Sequence, residues 1–243
     1  MHISHNYHMY PCGDHALTIE WGDAIDVSVN KMVIALFDLL KAQGIKGVKD
    51  VIPAYHSVTV IYDTALLKKQ VKTATVYEWM SRQVGKLIDN SIDGTEKKSR
   101  LVRIPVCYDL SLAPDLESLA EMHKMNIDEV VKWHTGKTYR VYMIGFLPGF
   151  TYMGSVDERI NTPRKTNPRT LVPAGSVGIA GEQTGIYPVD SPGGWQLIGQ
   201  TPVKMFDAAN DEPCYVQPGD EVQFYPITLT EFQKQKQDGT SHS

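Results

Sequence analysis

Hydrophobic and polar positions give the chain two textures. Over residues 15–21, Ala16, Thr18 and Glu20 alternate with Leu17, Ile19 and Trp21, which predicts a strand. Asp26 is placed to cap a helix in which Val29, Met32, Val33, Leu36 and Leu40 recur at spacings of three and four. Residues 48–55 and 57–63 read as two strands around a short break, and a second helical pattern runs over about 65–89. A polar loop follows Leu87, and L-V-R-I-P-V-C-Y (101–108) reads as another strand. The order β-α-β-β-α-β is that of a ferredoxin-like α/β sandwich.

Asp115 then caps one short helix, and Asn126 or Asp128 a second. From Thr138 the pattern changes to short β-rich pieces between Gly and Pro turns, with no helical period, as in a β-barrel or sandwich. The expected class is therefore α+β. An N-terminal α/β domain spans 1–108, a helical connector 109–137, a β-barrel domain 138–232, and a polar, frayed tail 233–243.

Composition narrows the function classes. The net charge of −4, without a block of one sign, argues against nucleic acid as a partner. No apolar run approaches the roughly 20 residues of a membrane span, and the N-terminus does not read as a secretory signal. Three scattered cysteines without a C-x-x-C predict a cytoplasmic protein. His2, His5, His8 and His15 lie near one terminus without identifiable carboxylate partners, so no metal site is expected. The G-K-T of His134–Thr138 is not a P-loop, because Val131 stands where a glycine is required.

The chemistry concentrates in Tyr139–Thr201. Phe146, Phe150, Tyr152, Tyr187 and Trp195 are interleaved with turns and a few single charges. Rigid loops with aromatic anchors suit a small-molecule pocket; the alternative is a barrel whose turns simply need Gly and Pro. Arg164 and Arg169 offer planar forks for a carboxylate or phosphate. In S-P-G-G-W (191–195) two glycines separate a proline from a tryptophan, which fits either a tight turn or a backbone approached by a ligand. His134 is suited to acid, base or phosphate contact if it faces a pocket.

The runs Y-R-V-Y-M-I-G-F-L-P-G-F-T-Y-M-G and P-R-K-T-N-P-R-T-L-V-P-A-G-S-V-G-I-A-G-E-Q-T-G-I-Y-P-V-D-S-P-G-G-W-Q-L-I-G-Q-T resemble the KipI, or allophanate hydrolase subunit 1, family. That family includes PxpB, the B subunit of bacterial 5-oxoprolinase. The resemblance implies a small α/β domain followed by a cyclophilin-like β-barrel. It implies a KipA/PxpC-like partner subunit and a PxpA-like protein of the LamB/YcsF family. Together these convert 5-oxo-L-proline to L-glutamate at the expense of ATP, whose Mg2+ comes with the nucleotide. In that setting His134, Arg164 and Arg169 are the expected catalytic group. Phe146, Pro148, Gly149, Gln183, Tyr187, Ser191, Pro192, Gly193, Gly194 and Trp195 are expected to line the substrate or nucleotide site. Related members imply two other roles: inhibition of a sporulation histidine kinase, or the carboxyltransferase half of a biotin-dependent urea-type enzyme. Where the family commonly has G-R-T, this chain has G-Q-T, with Gln200.

Overall fold

The computed structural model of the chain describes residues 6–72, 74–90 and 99–240. Contacts divide the chain into two units, Met1–Lys98 and Ser99–Ser243.

The N-terminal unit contains β1 (His8–Pro11), β2 (Ala16–Glu20), α1 (Val27–Gln43), β3 (Val48–Pro53), β4 (Ser57–Tyr62), α2 (Thr64–Lys68) and α3 (Val76–Asn90). Its antiparallel sheet has the order β1-β2-β4-β3. The Asp26 carboxylate accepts from the backbone N–H groups of Ser28 and Val29, and Gly44 ends α1 in the left-handed region at φ 55°. Val33, Leu36 and Leu40 of α1 and Met80, Val84 and Ile88 of α3 join Leu17, Ile19, Val58 and Val60 in one core. The helical pattern expected over 65–89 is two helices. Thr75 and Glu78 form reciprocal backbone–side-chain bonds of 2.8 and 3.1 Å, a capping box that starts α3 afresh.

The expected β-α-β-β-α order is present, but strand 101–107 does not close it. β1 sits beside β2 instead, with His8 opposite Glu20 and Pro11 opposite Leu17. A hairpin closes a short loop, so this pairing costs little chain entropy. Ile104–Cys107 is buried at every position, which suits an interior barrel strand. The boundary expected after residue 108 therefore falls before this strand.

The second unit contains β5 (Leu101–Cys107), α4 (Leu116–Met122), α5 (Ile127–Thr135), β6 (Thr138–Ile144), β7 (Thr151–Gly154), a 3-10 turn at Glu158–Ile160, β8 (Arg169–Val172) and β9 (Ser176–Ala180). It continues with β10 (Gln183–Ile186), β11 (Ser191–Gly193), β12 (Gln196–Gln200), β13 (Glu221–Ile227) and α6 (Leu229–Thr240). Seven strands close a barrel in the order β10-β7-β6-β13-β5-β12-β9, in keeping with the barrel the resemblance implies. β5 and β13 run parallel over their whole length. At their start, Arg100 Nη2 lies 2.6 Å from Asp220 Oδ2.

Segment 109–137 is part of this unit and not a free connector: Leu116, Leu119, Ala120 and Val130 enter the barrel core. The tail expected from 233 is helical to Thr240, because α6 begins at a capping box between Thr228 and Glu231. β8 and β11 form a separate two-stranded sheet, and this sheet carries the candidate site.

Candidate functional site

The sheet register places the key side chains. Ser191 is opposite Val172 and Gly193 opposite Arg169, with an irregularity between the two pairs. Thr170 and Leu171 are both exposed, so Arg169 and Val172 share the inner face with Ser191. On that face the Arg169 guanidinium is held by Asp115. Arg169 Nη2 lies 2.6 Å and Lys165 Nζ 2.8 Å from Asp115 Oδ1. The other carboxylate oxygen accepts the Leu197 N–H at 2.7 Å, and the Asp115 N–H bonds back to the Leu197 carbonyl.

Asp115 stands at the start of α4, as its capping pattern suggested, yet it makes no side-chain cap bond. Its carboxylate, 3% exposed, is used by the two cations instead. Burial pushes its pKa up, but the hydrogen bonds from Arg169, Lys165 and the Leu197 N–H outweigh that and hold it below the ordinary carboxylate value. One buried carboxylate faces two cations, so the clamp carries net positive charge.

Aromatic rings pack beside the clamp. Phe150 meets Trp195 edge-on at 5.4 Å and Tyr187 at 5.0 Å, and Tyr152 lies 4.8 Å from Phe150. Phe150, Tyr187 and Trp195 share a buried cluster with Val172 and Leu197. Arg164 is exposed, with its guanidinium carbon 5.7 Å from the Trp195 ring centre, within cation–π range. Burial raises the Tyr187 pKa, while a hydrogen bond from the Trp195 backbone and the nearby Arg164 and Arg169 pull it back.

The two adjacent glycines have different reasons. A Cβ on Gly193 would lie 2.7 Å from two carbons of the Tyr187 ring, so this glycine lets an internal ring pack. A Cβ on Gly194 would meet only Pro168 and the Lys165 carbonyl, at 3.6 Å or more. The Gly194 carbonyl accepts the Lys165 N–H at 2.8 Å and thereby ties the 163–168 segment to the loop.

The structure thus brings together Arg164, Arg169, Tyr187, Ser191, Gly193, Gly194 and Trp195, with exposed Pro192 on the same strand as Ser191 and Gly193. Phe146 extends the aromatic group from outside, 63% exposed at φ 65° and 5.6 Å from Phe150. Pro148 is exposed on the same turn, and Gly149, at φ 84°, packs against Met205 and Phe206. Gln183 is a barrel residue opposite Gly154 and Ala180, on neither the clamp nor the aromatic group. Gln200 is buried in the barrel wall, where its amide donates to the Ala174 carbonyl.

His134 is a correction. It is fully buried and stacks on Phe224 at 4.6 Å. Its Nε2 is 3.0 Å from Thr184 Oγ1, which itself donates to the Gly178 carbonyl, so Nε2 carries the proton and Thr184 accepts. Nδ1 then accepts from the Tyr108 hydroxyl at 2.8 Å. Burial pushes its pKa down to about 3. A neutral imidazole with both nitrogens satisfied inside the barrel is a structural group, not an acid or base open to substrate. Among the amino-terminal histidines, His2 and His5 lie outside the described residues, His8 is in β1, and His15 Nδ1 is 3.0 Å from Asp14.

Sequence reasoning missed Lys165 and the true role of Asp115. Asp115 was legible as a cap residue, but nothing in the chain links it to partners 50 and 54 positions away.

The comparisons with known proteins agree on the kinship. The family described as "Carboxyltransferase domain, subdomain C and D" matches residues 7–216. The 5-oxoprolinase B subunit of Bacillus subtilis is 39% identical over 96% of this chain and 98% of its own length. That of Escherichia coli O157:H7 is 37% identical over 89% and 94%. Urea amidolyase of Saccharomyces cerevisiae is 26% identical over 93% of this chain, which covers 14% of that protein. Among solved structures, TTHA0988 superposes with a TM-score of 0.75 at 31% identity over 88% of this chain, which spans 40% of the other. With a family match over most of its length and B-type relatives aligned nearly end to end, the chain belongs to the family of 5-oxoprolinase B subunits, within the wider carboxyltransferase subdomain C and D family.

Proposed function

We propose that this chain is the B subunit of an ATP-dependent 5-oxoprolinase that opens 5-oxo-L-proline to L-glutamate. The observation that carries the reading is the near-complete alignment with named B subunits in two bacteria. The cationic clamp around Arg169 is the chemistry in this chain that fits it, because the substrate is an anion.

A lactam carbonyl is a weak electrophile. ATP, with its Mg2+, would supply a phosphoryl group to the exocyclic lactam oxygen and so open the carbonyl carbon to water; two waters are consumed, one as the ring C–N bond breaks and one as phosphate is released, and the products are glutamate, ADP and phosphate. Such a step depends on held anions and stabilised charge more than on a strong nucleophile. In this chain Arg169, fixed by Asp115, and Arg164, at the Trp195 face, are placed to hold anionic groups of substrate or nucleotide. No acid–base step is assigned to His134. The chain acts in a cytoplasmic complex with a KipA/PxpC-like subunit and a PxpA-like protein, and is inactive alone.

Reconstitution tests this. This chain and its two companions, given 5-oxo-L-proline and ATP, should form glutamate and ADP together, and omission of this chain should abolish both. An assembled complex without turnover refutes the reading. In that case the carboxyltransferase role, supported by the family description and the urea amidolyase relatives, takes its place and predicts dependence on a biotinylated partner.

A further inference from the structure

Among the described residues, two buried polar atoms of the β8–β11 sheet have no hydrogen-bond partner: Arg169 Nη1 and Ser191 Oγ. An unmet buried donor is costly, and native proteins keep very few, so each calls for an explanation. Here both occur on one face of one small sheet. Ser191 is 7% exposed and lies on the strand paired with that of Arg169. The other terminal nitrogen of the Arg169 fork is already fixed, because Asp115 takes Nη2 at 2.6 Å. Nη1 is therefore a pre-oriented donor that the protein itself leaves unused.

Charge and surroundings define what such a pair accepts. Lys165 and Arg169 share a single carboxylate, so the clamp has one positive charge over, which matches a monoanion. A planar carboxylate accepts from a guanidinium N–H and a hydroxyl together. Val172, Phe150, Tyr187 and Trp195 pack against one another beneath this face and are themselves buried. A packed apolar floor of this kind offers no partner to a second charged group, so the pair suits a small monoanion rather than a polyanionic chain.

The geometry points to a carboxylate subsite in this chain: Arg169 Nη1 and Ser191 Oγ receive the carboxylate of a small monoanionic acid. Asp115 and Lys165 are positioning residues that aim Arg169. The subsite requires a small carboxylic acid and no more; the identity of that acid as 5-oxo-L-proline rests on the function proposed above. The phosphoryl chemistry of the complex then takes place at the far end of the bound acid, away from this pair.

The test is titration calorimetry on the full chain with four probes: 5-oxo-L-proline, cyclopentanecarboxylate, 2-pyrrolidinone and inorganic phosphate. The two ring acids should bind with Kd of about 1 mM or tighter, and 2-pyrrolidinone, the same lactam without its carboxylate, at least ~10-fold more weakly. Ser191→Ala should weaken both acids about tenfold, and Arg169→Lys more, since lysine cannot keep one N–H on Asp115 and present another in the same fork. Thermal unfolding of each variant separates a lost contact from a lost fold, and Ser191→Ala, which removes one hydroxyl, preserves the fold. Equal binding of 2-pyrrolidinone and 5-oxo-L-proline overturns the proposal. So does phosphate binding more tightly than the acids, which assigns the pair to a phosphoryl group, and so does absence of binding by both acids. Binding of cyclopentanecarboxylate, sensitive to Ser191→Ala, in a chain whose assembled complex does not turn over 5-oxo-L-proline leaves the subsite standing and removes only the 5-oxoprolinase reading.

Discussion

If His134 is a buried neutral group, acid should destabilise the barrel unit through it. Its imidazole has a pKa of about 3 in the folded protein, against 6.5 for an ordinary histidine. The folded value is depressed, so the stabilising difference is fully present above pH 6.5 and is lost as pH falls toward 3. In that window the unfolded chain takes up a proton that the folded one refuses. At 1.36 kcal/mol per pH unit the whole gap amounts to about 5 kcal/mol, of which roughly 2 kcal/mol falls between about pH 7.5 and pH 5. The cause is desolvation inside the barrel, with Nδ1 taken by Tyr108 and Nε2 by Thr184. His134→Gln removes the titration. The variant is less stable at neutral pH, but its stability should change with pH by roughly 2 kcal/mol less than the parent over that range. Urea unfolding at stepped pH, followed by the barrel unit's own transition, measures the difference, and the other histidines cancel between parent and variant. Equal pH slopes in the two proteins, or an imidazole resonance of His134 that titrates near 6.5, refutes the burial argument and reopens the acid–base role.

Two further predictions address the site. Asp115→Asn leaves Lys165 and Arg169, both partly exposed, without their counter-charge; it should cost about 1–3 kcal/mol in stability by denaturant unfolding, and an unchanged midpoint would show that the clamp is not formed in solution. Gly193→Ala and Gly194→Ala should behave differently. The first drives a methyl group into the Tyr187 ring and should cost about 1–3 kcal/mol, whereas the second meets only ordinary contacts and should cost under about 1 kcal/mol; similar losses in both would contradict the packing account of the loop.

The parts of the fold that were legible in the sequence are those decided by neighbours in the chain. Asp26 and Gly44 bound α1 because capping acts over three or four residues, and the Gly- and Pro-rich texture after Thr138 signals short strands for the same local reason. The strand 101–107 was legible as a strand, but its partners were not. Its pairing with Glu221–Ile227 joins segments 120 residues apart, and nothing in either segment names the other. The same limit governs the site. Arg169 was legible from its residue type and from the motif around it. The carboxylate that aims it was hidden, because Asp115 looks like any helix-starting aspartate until the fold carries Leu197, Lys165 and Arg169 to it. His134 failed in the opposite direction. A histidine is suited to acid–base chemistry if it faces a pocket, yet Thr184, 50 positions later, and the ring of Phe224 close around this one and leave it neutral. A residue's type sets what it is able to do, and in this chain the long-range partner determines whether it does so. Asp115 and His134 differ in that single respect, and for this reason the proposed function rests on the clamp rather than on the histidine.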